Sequence, residues 1–164
     1  MKKLSIVMVL TLVTFLVSCG AKDKRKKFDK AADYNDYIID IVDGVDEAWS
    51  TSIEEEDKDK AFAWSDSLAN RSKAGLTKLT NLQPFKKDST FRDASTKYIT
   101  HMSNISNKEL KEFLTLIHGE EFTLESEQKA EALLPILDDQ REKLFEDIKT
   151  TQKAFAAKFN IILL

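Results

Sequence analysis

Chemistry that depends on thiols, imidazoles or glycine-rich loops has little to work with in this chain. Of 164 residues, one is cysteine (Cys19), two are histidine (His101 and His118), four are glycine and two are proline. The glycines at 20, 44, 75 and 119 are isolated, so no glycine-rich loop cradles a phosphate. No serine stands in a nucleophile-elbow pattern, and the histidines have neither zinc-motif spacing nor the Glu-x-x-His spacing of di-metal helical bundles. We therefore expect no enzyme, no cofactor and no metal site. Long apolar runs are missing too. The longest, from Leu4 to Val17, is interrupted by Ser5, Thr11 and Thr14. As a helix of about 15 residues it would rise about 22 Å, short of the ~30 Å hydrocarbon core of a bilayer.

What stands at the N-terminus is an address. Lys2 and Lys3 precede the apolar stretch, and a small residue, Ser18, closes it before Cys19. This is the layout of a secretory signal peptide. The run Leu16-Val17-Ser18-Cys19 resembles the lipobox of bacterial lipoproteins. That resemblance implies cleavage before Cys19 and attachment of three acyl chains in all to the mature cysteine, which makes anchoring permanent because stable attachment takes two anchoring signals. Residues 1–18 are then the cleaved signal peptide, 19–27 the lipidated cysteine with a basic tether, and 28–164 a single domain. Within lipoproteins of this kind an Asp after the cysteine favours inner-membrane retention. Gly20 here implies the outer membrane, facing the periplasm, with the cell surface as second choice.

About 145 residues remain after the signal, enough for one core and not for two. With 42% hydrophobic and 32% charged residues the composition suits a globular helical domain rather than a disordered chain. Once Cys19 carries lipid, no disulfide is available in an oxidising compartment, so hydrophobic packing alone must hold the fold. The net charge of −3 becomes −5 when the two positive charges of Lys2 and Lys3 leave with the signal. An acidic domain repels phosphate backbones, which argues against nucleic-acid binding. The charge is unevenly spread: Lys22, Lys24, Arg25, Lys26, Lys27 and Lys30 follow the anchor directly, against Asp23 and Asp29, and residues 33–59 carry an acidic excess. The basic stretch reads either as a tether drawn to anionic headgroups, at ~1 kcal/mol per cation, or as a solvated linker.

The rest reads as an all-α, antiparallel up-down four-helix bundle with a kinked or broken third or fourth helix. Tyr34, Ile38, Ile41, Val45 and Ala48 recur at spacings of four and three, predicting a first helix over 28–54. Asp33, Asp36, Asp40, Asp43 and Glu47 form an acidic ridge beside that stripe. A second helix is expected over 57–82, with Ala61, Trp64, Leu68, Gly75, Leu79 and Leu82 inward and Pro84 ending it. Small residues at Ala69, Ser72 and Gly75 allow another helix to come close. Asp88-Ser89-Thr90 offers three possible N-caps for the third helix, and Thr90 with Asp93 is close to a capping box. Ser106 with Glu109 resembles another, so a break is expected near 104–107, with Gly119 as the stop. The fourth helix is expected from about Thr123. Pro135 either kinks it or marks its true start. The apolar ending 159–164 is expected to dock on the bundle.

Three stretches are similar to a family of small bacterial surface lipoproteins of unknown function, first described in leptospires. They are Tyr34-Asn35-Asp36 with Ile38-Ile39, then Phe85 through Phe91-Arg92-Asp93-Ala94, and Gln152, Phe155-Ala156 and Phe159-Asn160. The resemblance implies a helical envelope protein and brings no catalytic residues. Read from the residues themselves, Phe91, Phe155 and Phe159 are core, Arg92 and Asp93 are helix-start charges, and Gln152 is an inter-helix hydrogen-bonding group. His118 with Glu120 and Glu121, the acidic ridge, and the aromatics Trp49, Trp64, Tyr34 and Tyr98 are candidate ligand sites; a solvated turn, a solvated face and core packing are the simpler readings. The functional expectation is a lipid-anchored, non-enzymatic envelope protein that binds a protein partner. The alternative is a periplasmic carrier holding a small apolar ligand or metal ion within the bundle.

Overall fold

The computed structural model describes residues 23–163 apart from 120 and 122. The signal segment, the cleavage site and Cys19 lie outside the described residues. Five helices follow in order: α1 (Ala31–Glu54), α2 (Lys58–Thr80), α3 (Thr90–Ser106), α4 (Glu109–Ile117) and α5 (Leu124–Phe159). They pack as an antiparallel up-down bundle in which α1 lies on α2, α2 on α3, and the broken pair α3 and α4 together along α5. At 36 residues, α5 is about 54 Å long and runs beside both short helices. The third helix of the expected four is thus broken, and the fourth is whole.

The breaks follow from capping. Asp57 accepts the Lys60 N–H at 3.0 Å and starts α2. At the start of α3 the middle of the three possible caps, Ser89, is the N-cap: its hydroxyl donates to Asp93 at 2.6 Å, and Asp88 accepts the Thr90 N–H at 3.0 Å. Between α3 and α4 no capping box forms. Ser106 and Asn107 instead donate to the Ser103 carbonyl, satisfying the end of α3. Thr123 and Ser126 do form a reciprocal capping box for α5.

Pro135 neither starts nor ends α5. It lacks an N–H for the Glu131 carbonyl, a defect worth about 3 kcal/mol in a helix interior. Its exposed position lets water take that carbonyl, and buried Ala130 and Leu137 hold the helix on either side. The first helix begins at Ala31 rather than 28, because Phe28 turns back to pack on Tyr34 and Tyr37. On α2 the inward stripe is Ala61, Ser65, Leu68, Ser72, Gly75 and Leu79. Trp64, expected inside, is half-buried at the surface beneath the Arg71 guanidinium.

That small-residue stripe lets α1 approach α2. A Cβ on Gly75 would lie 2.8 Å from the Ile41 Cγ2 methyl and 3.4 Å from that of Ile99. Both are stiff branched side chains within the core, so the space cannot open cheaply.

The connection from α2 to α3 is a tight turn, Phe85 to Asp88, closed by the Asp88 N–H on the Phe85 carbonyl at 2.8 Å. Its central residues, Lys86 and Lys87, have φ of 47° and 71°. Positive φ at both positions is the pattern of a type I′ turn, normally filled by Asn-Gly; a side chain there costs roughly 1–2 kcal/mol per residue.

Gly75→Val should lower unfolding stability by about 2 kcal/mol or more, as overpacking outweighs any gain in helix propensity. Urea denaturation checks this: a midpoint equal to wild type would mean that α1 and α2 do not approach here as described.

Candidate functional site

Two surfaces stand out, at opposite ends of the bundle. The first is built around an aromatic cluster. Tyr34 of α1 stacks on Phe155 of α5 (5.3 Å between centroids), and Phe85 meets Phe159 edge-on at 4.9 Å. Phe91 of α3 lies 5.8 Å from Phe155. Gln152 donates to the Asn35 side chain at 3.0 Å, the inter-helix bond expected of it. The three stretches that carry the family resemblance therefore meet at one end of the molecule.

The N-terminal segment is bound to this end. Lys26 donates its N–H to the Asn81 carbonyl at 2.7 Å and accepts the Gln83 N–H at 2.8 Å. Its ammonium sits 3.6 Å from the Tyr37 ring centre, a cation–π contact. The part of the expected tether that is described thus lies along the α2–α3 connection. Lys158 donates to Asp88 at 2.6 Å, and this bond, working against burial, holds the Asp88 carboxyl below the usual carboxylate range. Arg92 reaches back to the Leu82 carbonyl at 2.8 Å while binding Asp93. After Asn160, in the left-handed conformation that ends α5, the chain does not dock throughout. Ile161 packs on the core, but Ile162 is 89% exposed.

The second surface is a groove of about 330 Å³ between the C-terminal half of α1 and the N-terminal half of α5. Trp49, Ile53, Leu134 and Leu137 form its apolar part, and Glu54, Asp138 and Glu142 rim it. Arg141 also lines it. Its guanidinium lies 3.3 Å from Asp46, 3.4 Å from Asp138 and 5.7 Å from the Trp49 ring centre, while Nε has no hydrogen-bond partner. Buried Tyr98 of α3 donates to Asp46 at 2.6 Å. Burial and the Asp46 charge push the Tyr98 phenol far above its ordinary range, so it stays a donor. This network links α1, α3 and α5 and fixes a cation beside the groove.

The other sequence candidates do not come together. Asp33, Asp36, Asp40, Asp43 and Glu47 all lie exposed, and Glu47 is taken by Arg71 at 2.6 Å. Partial desolvation by neighbouring side chains, with Asp46 and Asp40 nearby, raises the Asp43 carboxyl although the residue is exposed. His118 caps α4, and Glu121 is exposed; Glu120 lies outside the described residues. His101 is half-buried between α3 and α5, where burial lowers its pKa against the pull of Glu109. Among the described residues no three His, Cys, Asp or Glu side chains could hold a metal ion, and no helix is long and apolar enough to cross a membrane. Tyr34 and Tyr98 are core residues. Asp46 and Arg141 were missed from sequence. The available signal was Tyr98, a core phenol that requires a polar partner.

Comparison of the chain with protein-family models, with curated protein sequences and with solved structures gives no match.

Asp88→Asn removes a carboxylate whose pKa is depressed in the folded state. Its contribution is present above the unfolded pKa and lost as pH falls through the folded one. The variant should therefore be about 1 kcal/mol less stable at pH 7, a gap that closes toward acid pH. Thermal melts at several pH values read this; a gap that persists well below the carboxylate range would contradict the Lys158 pairing as its source.

Proposed function

We propose that this is a lipid-anchored, non-catalytic envelope protein that binds a protein partner through the acid-rimmed groove between α1 and α5. The observation that carries the reading is the groove itself. It sets a partly exposed apolar wall, Leu134 with half-buried Ile53, above buried Trp49 and Leu137, with carboxylates along its edge. An apolar channel between two helices is the kind of site that accepts an amphipathic helix, and acidic edges favour one with basic flanks. The carrier alternative would be served by an enclosed void. The groove instead opens to solvent.

The anchoring half of the reading rests on Leu16-Val17-Ser18-Cys19 and on the resemblance to surface lipoproteins. Gly20 supports the outer membrane, periplasmic face first and cell surface second. Both ends of the reading fit one geometry: residue 23 enters at the aromatic end, and the groove lies at the other.

Affinity capture of the acylated protein from intact envelopes tests the partner. A specific protein should be retained by wild type and reduced about tenfold or more by Leu134→Asp with Glu142→Lys, at unchanged helix content. Recovery of no specific protein alongside a stoichiometric small molecule or metal would replace this reading by the carrier. Cys19→Ser should abolish processing and the acyl-linked mass. A variant still processed and membrane-bound as wild type would overturn the anchor.

A further inference from the structure

We propose that the aromatic end of the bundle is a docking face for an anionic bilayer, assembled from three separate parts of the chain: residues 24–30, the turn at Lys86 and Lys87, and the chain end at 161–163. The proposal rests on the anchoring reading only in taking this end as the one nearest the membrane. Asp23 follows Cys19 by four residues, which span at most about 14 Å, so an acylated Cys19 holds this end within reach of headgroups.

Charge complementarity names the occupant. Lys24, Lys30, Lys86 and Lys87 are exposed and make no ion pair among the described residues, whereas Arg25 and Lys158 are paired to Asp23 and Asp88. Lys26 is pinned by its backbone bonds to Asn81 and Gln83, which brings the N-terminal cations beside the 85–88 turn. The aromatic contacts of Phe85 with Phe159 bring the chain end to the same place, and the Lys86 ammonium lies over both rings at 5.5 and 5.8 Å. Ile162, three residues beyond Phe159, then offers an apolar side chain that is 89% exposed. Cations around a projecting aliphatic group match a headgroup layer over acyl chains.

Two observations argue against mere surface polarity. Lys86 and Lys87 occupy the left-handed conformation where Asn-Gly would be easier, so the turn keeps its cations against its own backbone preference. At the far end, Glu54, Glu55, Glu56 and Asp57 cluster where α1 ends and α2 begins. The bundle is therefore polar end to end, and an anionic surface attracts one end and repels the other.

Co-sedimentation of the chain from residue 19 with Cys19→Ser, its helix content first verified by circular dichroism, reads this face without acyl chains. It should bind phosphatidylcholine vesicles containing about 30% phosphatidylglycerol, fail to bind pure phosphatidylcholine, and be released by salt. Lys86→Asn with Lys87→Gly should unfold at the same or higher denaturant while binding these vesicles about tenfold more weakly. Ile162→Ser should weaken binding several-fold, and Glu55→Lys with Glu56→Lys should not weaken it. Equal binding to neutral vesicles, full affinity in the turn variant, or complete competition by equimolar inorganic phosphate would each overturn the proposal. If protein purified from membranes lacks acyl chains on Cys19 while the vesicle results hold, the anchor fails and the docking face stands.

Discussion

Interlocked aromatic rings at one end of the bundle hold together segments that no covalent link joins. Tyr34, Phe85, Phe91, Phe155 and Phe159 come from α1, the α2–α3 turn, α3 and α5, and each meets at least one ring from a different segment. Phe28 adds the entering chain. Offset and edge-to-face pairs of this kind add about 0.5–1.5 kcal/mol each beyond area burial. Among the described residues, which include no cysteine, this cluster takes the place that a disulfide often has in a small domain. It also sets where cations gather, because the turn and the chain end are drawn onto it.

The remainder of the bundle is shaped by an inequality in how closely helices approach. Ser65, Ser72 and Gly75 let α1 and α2 pack tightly, and α3 with α4 cover much of α5. Direct contact between α1 and α5 is slight. Near the aromatic end Tyr34, Asn35, Phe155 and Gln152 bridge them. Farther along, Arg141 and Asp46 carry the link, and beyond them the two helices leave the groove lined by Trp49 and Leu134. The groove and the basic end are thus consequences of one arrangement, tight on one side and open on the other.

Much of this was legible in the apolar period. The stripe Tyr34, Ile38, Ile41, Val45, Ala48 is buried as read, Asp57 and Thr123 start helices, and the break after Ser106 occurs. What misled were positions where local and tertiary signals compete. Trp64 and Ser65 are neighbours, and hydrophobicity alone chooses the tryptophan; close approach of α1 chooses the smaller serine. Pro135 reads locally as a breaker, yet burial on either side keeps α5 continuous. Among the three adjacent cap candidates local chemistry does not choose; the turn held by Phe85 selects Ser89 and makes Thr90 the first helical residue.

The amino-acid sequence determined the class of fold, the approximate helices and the reliance on packing without disulfides. All of these follow from composition, period and contiguous motifs. Only the tertiary structure decided which end carries charge and which carries a groove. Lys26, Lys86 and Ile162 are far apart along the chain, as are Trp49 and Leu134. Their meeting depends on how closely particular helices can approach, a property of paired surfaces that no single helix pattern contains.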